Sequence, residues 1–230
     1  TTPQFHDAAV EYTTTLQLNF SNSSANMINL VATNNRVPQR ISNLYINTNG
    51  NSINDVIYMG YTQAVIENLS MNSYNAYNTI EFSPGTTTLR NLFIYGASKN
   101  AHIQVNGGND FWIENCYING SEGAGIYIPP NQNGMGIIAH NDITGNNIGL
   151  LFQGNGYWNF LHFEGDNFDS STQYNISFNN AGTMLGIEFT DCEIGNGNNI
   201  GLYFPSTAFI NGVTFNNCAF GPNKNYNIYM

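Results

Sequence analysis

An apolar residue followed two places on by an Asn-like residue, and five places on by another apolar one, recurs eight times along this chain. The copies start at Ile41, Ile66, Leu89, Ile113, Ile138, Phe163, Phe189 and Phe215, at intervals of 23 to 26 residues. Self-similarity at such a period belongs to stacked repeats, none of which can bury its own apolar face. A second column keeps step: short alternating strands have their first apolar residue at Ile57, Ile80, Ile103, Ile126, Leu150, Ile176, Leu202 and Ile228.

Within a repeat the alternation has period 2, so Ile126 and Ile128 face one way and Tyr127 the other, as in a strand. The inward column two residues on reads Met59, Phe82, Val105, Ile128, Phe152, Phe178, Phe204 and Met230, which predicts a continuous apolar stack. The Asn-like position is Asn43, Asn68, Asn91, Asn115, His140, Gly165, Asp191 and Asn217, all types that accept the positive φ of a one-residue corner. Past it, Leu44, Leu69, Leu92, Cys116, Asn141, Asp166, Cys192 and Cys218 open a third strand, which ends at Ile46, Met71, Ile94, Ile118, Ile143, Phe168, Ile194 and Phe220. The expectation is one all-β domain over residues 1–230: a β-solenoid of about nine rungs at ~4.8 Å each, with three strands per rung. Residues 41–230 are regular, and residues 1–40 form a less regular first segment.

The copy Ile113-Glu114-Asn115-Cys116-Tyr117-Ile118 carries a resemblance to the right-handed parallel β-helix family that includes pectate lyases, phage tailspikes and NosD-like proteins. The resemblance covers residues 41–230. It implies a single-stranded right-handed coil with an asparagine ladder at Asn43, Asn68, Asn91 and Asn115, interrupted at His140 and Gly165. It specifies fold much more than activity.

Only 9% of residues are charged, with five Lys plus Arg against a net charge of −10. Such a chain lacks a phosphate-binding footprint, which argues against a nucleic-acid partner. No apolar run is long enough to span a bilayer. An opening at Thr1 fits removal of a secretion signal, so an extracellular location is expected. Sequons at Asn19, Asn22, Asn119 and Asn175 are candidate glycosylation positions, and the one at Asn68 falls on a corner. Three cysteines make no disulfide framework. Cys192 and Cys218 share a column but with parallel side-chain directions, so buried thiols are the expectation.

Lyases of the resembling family imply clustered carboxylates for calcium beside an Arg or Lys base, and its hydrolases imply paired aspartates. Neither set occurs, so no catalytic residue, metal site or cofactor is assigned. The strongest polar constellation is His140, Asn141 and Asp142 with Glu164 and Asp166 one rung on. It reads either as an acid-base or cation site, or as Asn141 and Asp166 satisfying each other inside the coil. The four histidines have no metal-ligand spacing. Glu67, Arg90 and Glu114 read as an outward charge ladder. Outward Tyr58, Tyr127, Tyr203 and Tyr229 share a column, and Trp112, Tyr157 and Trp158 lie near a rung edge. Tyr127, Trp158 and Tyr203 are the candidate glycan contacts.

Solenoids cover their end rungs with capping elements, and here regular strands run to Met230. The function expected is therefore a self-assembling subunit of an extracellular filament, stacked head to tail as a homopolymer. Val10, Tyr12, Leu16 and Leu18 of one copy would meet Phe215, Phe220, Ile228 and Met230 of the next. The alternative is a carbohydrate-binding or carbohydrate-cleaving β-helix resembling a tailspike or a pectate lyase.

Overall fold

The computed structural model describes residues 14–31, 39–60, 63–83, 85–154, 156–179, 186–205 and 212–230. No helix occurs among them, and the paired strands run parallel throughout. The chain is a parallel β-solenoid with roughly three strands per turn. One sheet of nine strands runs from Ile28–Val31 to Tyr226–Tyr229 and holds the first strand of each turn. A second sheet of fourteen strands holds the other two. About seven turns are complete, fewer than the expected nine. The higher figure counts strands of the first sheet, whose outermost members belong to circuits not closed among the described residues.

Both sequence columns are ladders of this sheet pairing. Ile41, Ile66, Leu89, Ile113, Ile138, Phe163, Phe189 and Phe215 are each the register partner of the next. Ile57 to Ile228 behave likewise, and Ile28 adds a step below Ile57. Each of the eight corner residues has φ between 52° and 62°. In the early turns the corner leaves a single bent strand, as in Gln39–Asn47, Ala64–Asn72 and Thr86–Tyr95. From Gly108–Glu114 and Tyr117–Asn119 onward it splits the strand in two. The side-chain ladder is present where Asn91 Nδ2 donates to Asn68 Oδ1 at 3.1 Å, and where Asn217 donates to Asp191.

One apolar core runs from Leu18 to Leu202. The inward column is closed from Met59 to Phe178, but Phe204 is half-buried and Met230 is 88% exposed, so the continuous stack opens at its last members.

A polar column also lies inside. Thr48, Ser73, Ser98, Ser121, Asn146 and Ser171 are buried at the corner leading into the nine-stranded sheet, and Asn223 continues them half-buried. Asn146 accepts from Ser121 N and donates to the carbonyls of Ile118 and Thr144, so its amide bridges turns. Buried polar groups persist when bonded in this way.

Candidate functional site

Aromatic rings fill consecutive positions of two inward columns in the last turns, and a third stack on the outer face joins Tyr203 and Tyr229 to Tyr174, which reaches over from another register position. Phe152, Phe178 and Phe204 stack at 4.8 and 4.9 Å between centroids, and Phe163, Phe189 and Phe215 at 4.4 and 4.7 Å. On the outer face Tyr174, Tyr203 and Tyr229 stack at 4.5 and 5.6 Å. These separations approximate the spacing of neighbouring strands, so the ring planes lie across the solenoid axis. All three stacks reach one cross-section, where Phe204 and Phe215 are half-buried and Tyr229 is 44% exposed. Phe220 packs tilted on Phe215 at the same level, 5.9 Å away. The strand Tyr226–Tyr229 is exposed at every residue, Ile228 included.

At the opposite end Leu16 is exposed and pairs in register with Ile46, while half-buried Ile28 and Leu30 pair with Ile57 and Met59. Leu18, expected at a subunit contact, is instead buried in the core at 4% exposure and cannot meet a neighbour. Val10 and Tyr12 lie outside the described residues.

Two expected glycan contacts need correction. Trp158 is 1% exposed and packs edge-on against Phe111 at 6.1 Å. Between Gly134 and Met135 the register jumps from Trp158 to Phe160, and this irregularity turns Trp158 inward. Gly136 makes room for the Phe111 ring, since a Cβ there would lie 2.3 Å from it. Tyr203 has Tyr174 on one ring face and Tyr229 on the other, so no face is left for a sugar. Tyr127 is half-buried, and its hydroxyl donates to Gln153. Trp112 is partly exposed, and the side chain of Tyr157 lies outside those described.

Of the sequon asparagines, Asn19 and Asn22 are exposed. Asn119 is half-buried and donates from Nδ2 to Thr144 O. Asn175 is wholly buried, its Nδ2 donating to Gly195 O at 2.7 Å and to Asn223 Oδ1. The nitrogen that a glycan would need is committed inside the coil, which removes Asn175 as an acceptor.

The carboxylate constellation does not converge. Asn141 and Asp166 point inward and are buried, His140 and Glu164 are exposed, and Asp142 accepts from Asn167 at 3.0 Å on the outer face. Asp166 is held far above the usual carboxylate range by burial, against the lowering effect of Asn141. The outward ladder is a clamp on Glu67: Arg90 Nε donates to it at 2.6 Å and Arg40 pairs with its other oxygen. The Arg90 hydrogen bond, aided by Arg40, holds Glu67 below its ordinary value.

Cys116, Cys192 and Cys218 are free. Each thiol donates to the carbonyl two residues earlier, at 3.3 to 3.5 Å. Burial pushes Cys116 up to about 12 and Cys192 higher still, which makes inert thiols. His102 is wholly buried. Its Nε2 faces Asn119 O at 2.7 Å, so Nε2 carries the proton and Nδ1 is left as the acceptor, 2.9 and 3.1 Å from the Thr79 and Ser98 hydroxyls. Among the described residues no group of three or more His, Cys, Asp and Glu could hold a metal ion.

Comparison with protein-family models, with curated proteins and with solved structures found no match.

Proposed function

We propose that this chain is a structural subunit that assembles end to end, the last turn of one copy stacking on the first turn of the next. The observation that carries the reading is the cross-section at which Phe204 and Phe215 lie half-buried and Tyr229 exposed, each stacked on a ring one rung below. Besides the rings stacked beneath them, Phe215 has only the tilted Phe220 and Tyr229 only the tilted Tyr226 as aromatic neighbours among the described residues. The edge of Tyr226–Tyr229 offers backbone donors and acceptors in the register of a further rung.

A second copy one rung beyond would set Ile28 against Ile228, Leu30 against Met230 and Leu16 against Phe220, because each pair occupies one inward column. The contact is heterologous and does not close, so it propagates as a filament. A surface with few charges opposes this stacking weakly. The reading places the filament outside the cell, with exposed Asn19 and Asn22 open to glycosylation, and assigns it no catalytic role. The asparagine corners support grouping the chain with the β-helix proteins that it resembles.

Electron microscopy of the full chain tests the assembly. Filaments with an axial repeat of roughly 43 Å are expected, because this joint repeats every nine strands of the first sheet at ~4.8 Å each. Particles that stay single at every concentration would overturn it.

A second reading, a carbohydrate-binding or carbohydrate-cleaving β-helix of the tailspike or pectate lyase kind, draws on the outward face of the nine-stranded sheet. There Glu81 and Gln104 lie between Tyr58 and Tyr127 in one register column, Tyr77 is exposed on the same sheet, and none of the three tyrosines stacks on another aromatic ring among the described residues. Binding of neutral hexasaccharides that Tyr127→Ala weakens is the result expected of it.

A further inference from the structure

We propose that the cavity at the corner leading into the nine-stranded sheet binds a sugar unit carrying one negative charge; the inference rests on the carbohydrate reading of that face. The cavity has a volume of about 260 Å³. That is below the ~300 Å³ lower bound of drug-sized sites, which suits a single ring.

Its walls come from four successive turns: Ser23, then Ser52 and Asn54, then Asn75 and Tyr77, then Lys99. Tyr77 is 49% exposed and supplies a ring for apolar contact with a sugar face. Asn75 Nδ2 donates to Gly50 O at 2.8 Å, and Asn54 Nδ2 donates to Asp55 and Asn26. The Asn54 nitrogen is fully committed, so the second Asn75 N–H, the two amide oxygens and the Ser23 and Ser52 hydroxyls are the groups left for ligand hydroxyls.

Lys99 gives the cavity its sign. Among the described residues no carboxylate lies within ion-pair distance of it, whereas Arg40 and Arg90 both close on Glu67. In a chain of net charge −10, an unpaired ammonium at a cavity lined by neutral polar groups selects for an anion. The neighbouring carboxylates do not line it. Asp55 is buried and accepts from Asn54 and Asn78, and Glu81 accepts from Asn78 and Asn106.

A carboxylate and a sulfate ester satisfy this chemistry alike, so the test carries both. The full chain is titrated calorimetrically with glucuronate, glucose 6-sulfate and glucose, beside Lys99→Ala, Lys99→Arg and Tyr77→Ala. At least one anionic sugar should bind about tenfold or more tighter than glucose. Lys99→Ala should lose that margin, Lys99→Arg should keep most of it, and Tyr77→Ala should weaken every sugar. Lys99 and Tyr77 are exposed, so unchanged melting curves will show that the variants fold. Equal binding of glucose and both anions, or anion binding indifferent to Lys99→Ala, overturns the proposal. If neutral hexasaccharides still bind through Tyr127, only this inference fails. If nothing binds, the carbohydrate reading fails with it.

Discussion

Asn141 donates twice to one oxygen: its backbone N–H and its side-chain Nδ2 both lie 2.9 Å from Asp166 Oδ1. Asp166 Oδ2 has no partner among the described residues. An acid so placed is favoured neutral, and its raised value follows chiefly from burial. A carboxyl raised by folding contributes stability that is complete below its unfolded value near 3.8 and is lost as the pH rises through the folded value. The Asp166 contribution, read as the difference between wild type and Asp166→Asn, should therefore be less favourable at pH 8 than at pH 5. Asp166→Asn keeps the Oδ1 acceptor and adds a donor for the orphan position, where an unmade bond costs about 1–3 kcal/mol. Its melting temperature at pH 8 should rise by several degrees, with little change at pH 4. Equal gains at both values would rule out the ionisation account.

His140 and Gly165 interrupt the corner ladder as a matched pair. Gly165 has φ +62°, and a Cβ there would lie 2.6 Å from His140 Nδ1. Asparagine accepts that φ, so the obstacle to Gly165→Asn is the imidazole. Alone it should cost about 1–3 kcal/mol. In the His140→Asn background the cost should fall, because two asparagines can then bond as Asn91 does to Asn68. A double-mutant cycle by chemical denaturation measures the coupling.

The eight corners were legible because two independent signals fall on the same residues: a strand alternation that breaks there, and a residue type that accepts positive φ. The core columns were legible for the same reason of period. Side-chain parity says which way Tyr203 points but not that Tyr174 and Tyr229 cover its faces, because Tyr174 lies in a different register position. Trp158, placed near a rung edge by its position in the repeat, is turned inward by a register irregularity that the alternation does not announce. The internal polar column had a signal: Thr48, Ser73, Ser98, Ser121, Asn146, Ser171 and Asn223 keep the period of the apolar columns. Polar residues between strands read as loop, and nothing in composition says that these hydroxyls and amides bond to backbone inside the coil.

His102 belongs to that interior. Burial lowers it from 6.5 to about 4, so it is neutral in the folded chain at physiological pH. Between those values the unfolded chain binds the extra proton, and stability falls as the pH falls. The slope contributed is at most about 1.4 kcal/mol per pH unit. Denaturant titrations from pH 7 to 4 should show this loss in the wild type and a shallower one in His102→Gln.

Glu67 loses its contribution in the same direction for a different reason. Its value is lowered, first by the Arg90 hydrogen bond, so its stabilisation is present above the unfolded 4.5 and disappears as the pH falls through the folded value. Glu67→Gln should lower the melting temperature at pH 7 and match the wild type near pH 2. High salt should shrink the difference only in part, since Glu67 is buried while its arginines are not.

The outer tyrosine column separates packing within one subunit from stacking between subunits. Tyr229 covers Tyr203, has Tyr226 tilted against it and stays 44% exposed, and it sits on an exposed strand whose loss of contact costs the monomer little. Tyr229→Phe keeps the ring and should assemble like the wild type. Tyr229→Ala should raise the critical concentration, by an amount consistent with the ~0.5–1.5 kcal/mol of an aromatic pair. Ile228→Lys places a charge on the added edge and should abolish filaments outright. All three should retain monomer melting temperatures within a few degrees. If Ile228→Lys still forms filaments with the wild-type axial repeat, the joint lies on another surface and the exposed rings beside Ile228 have no role in it.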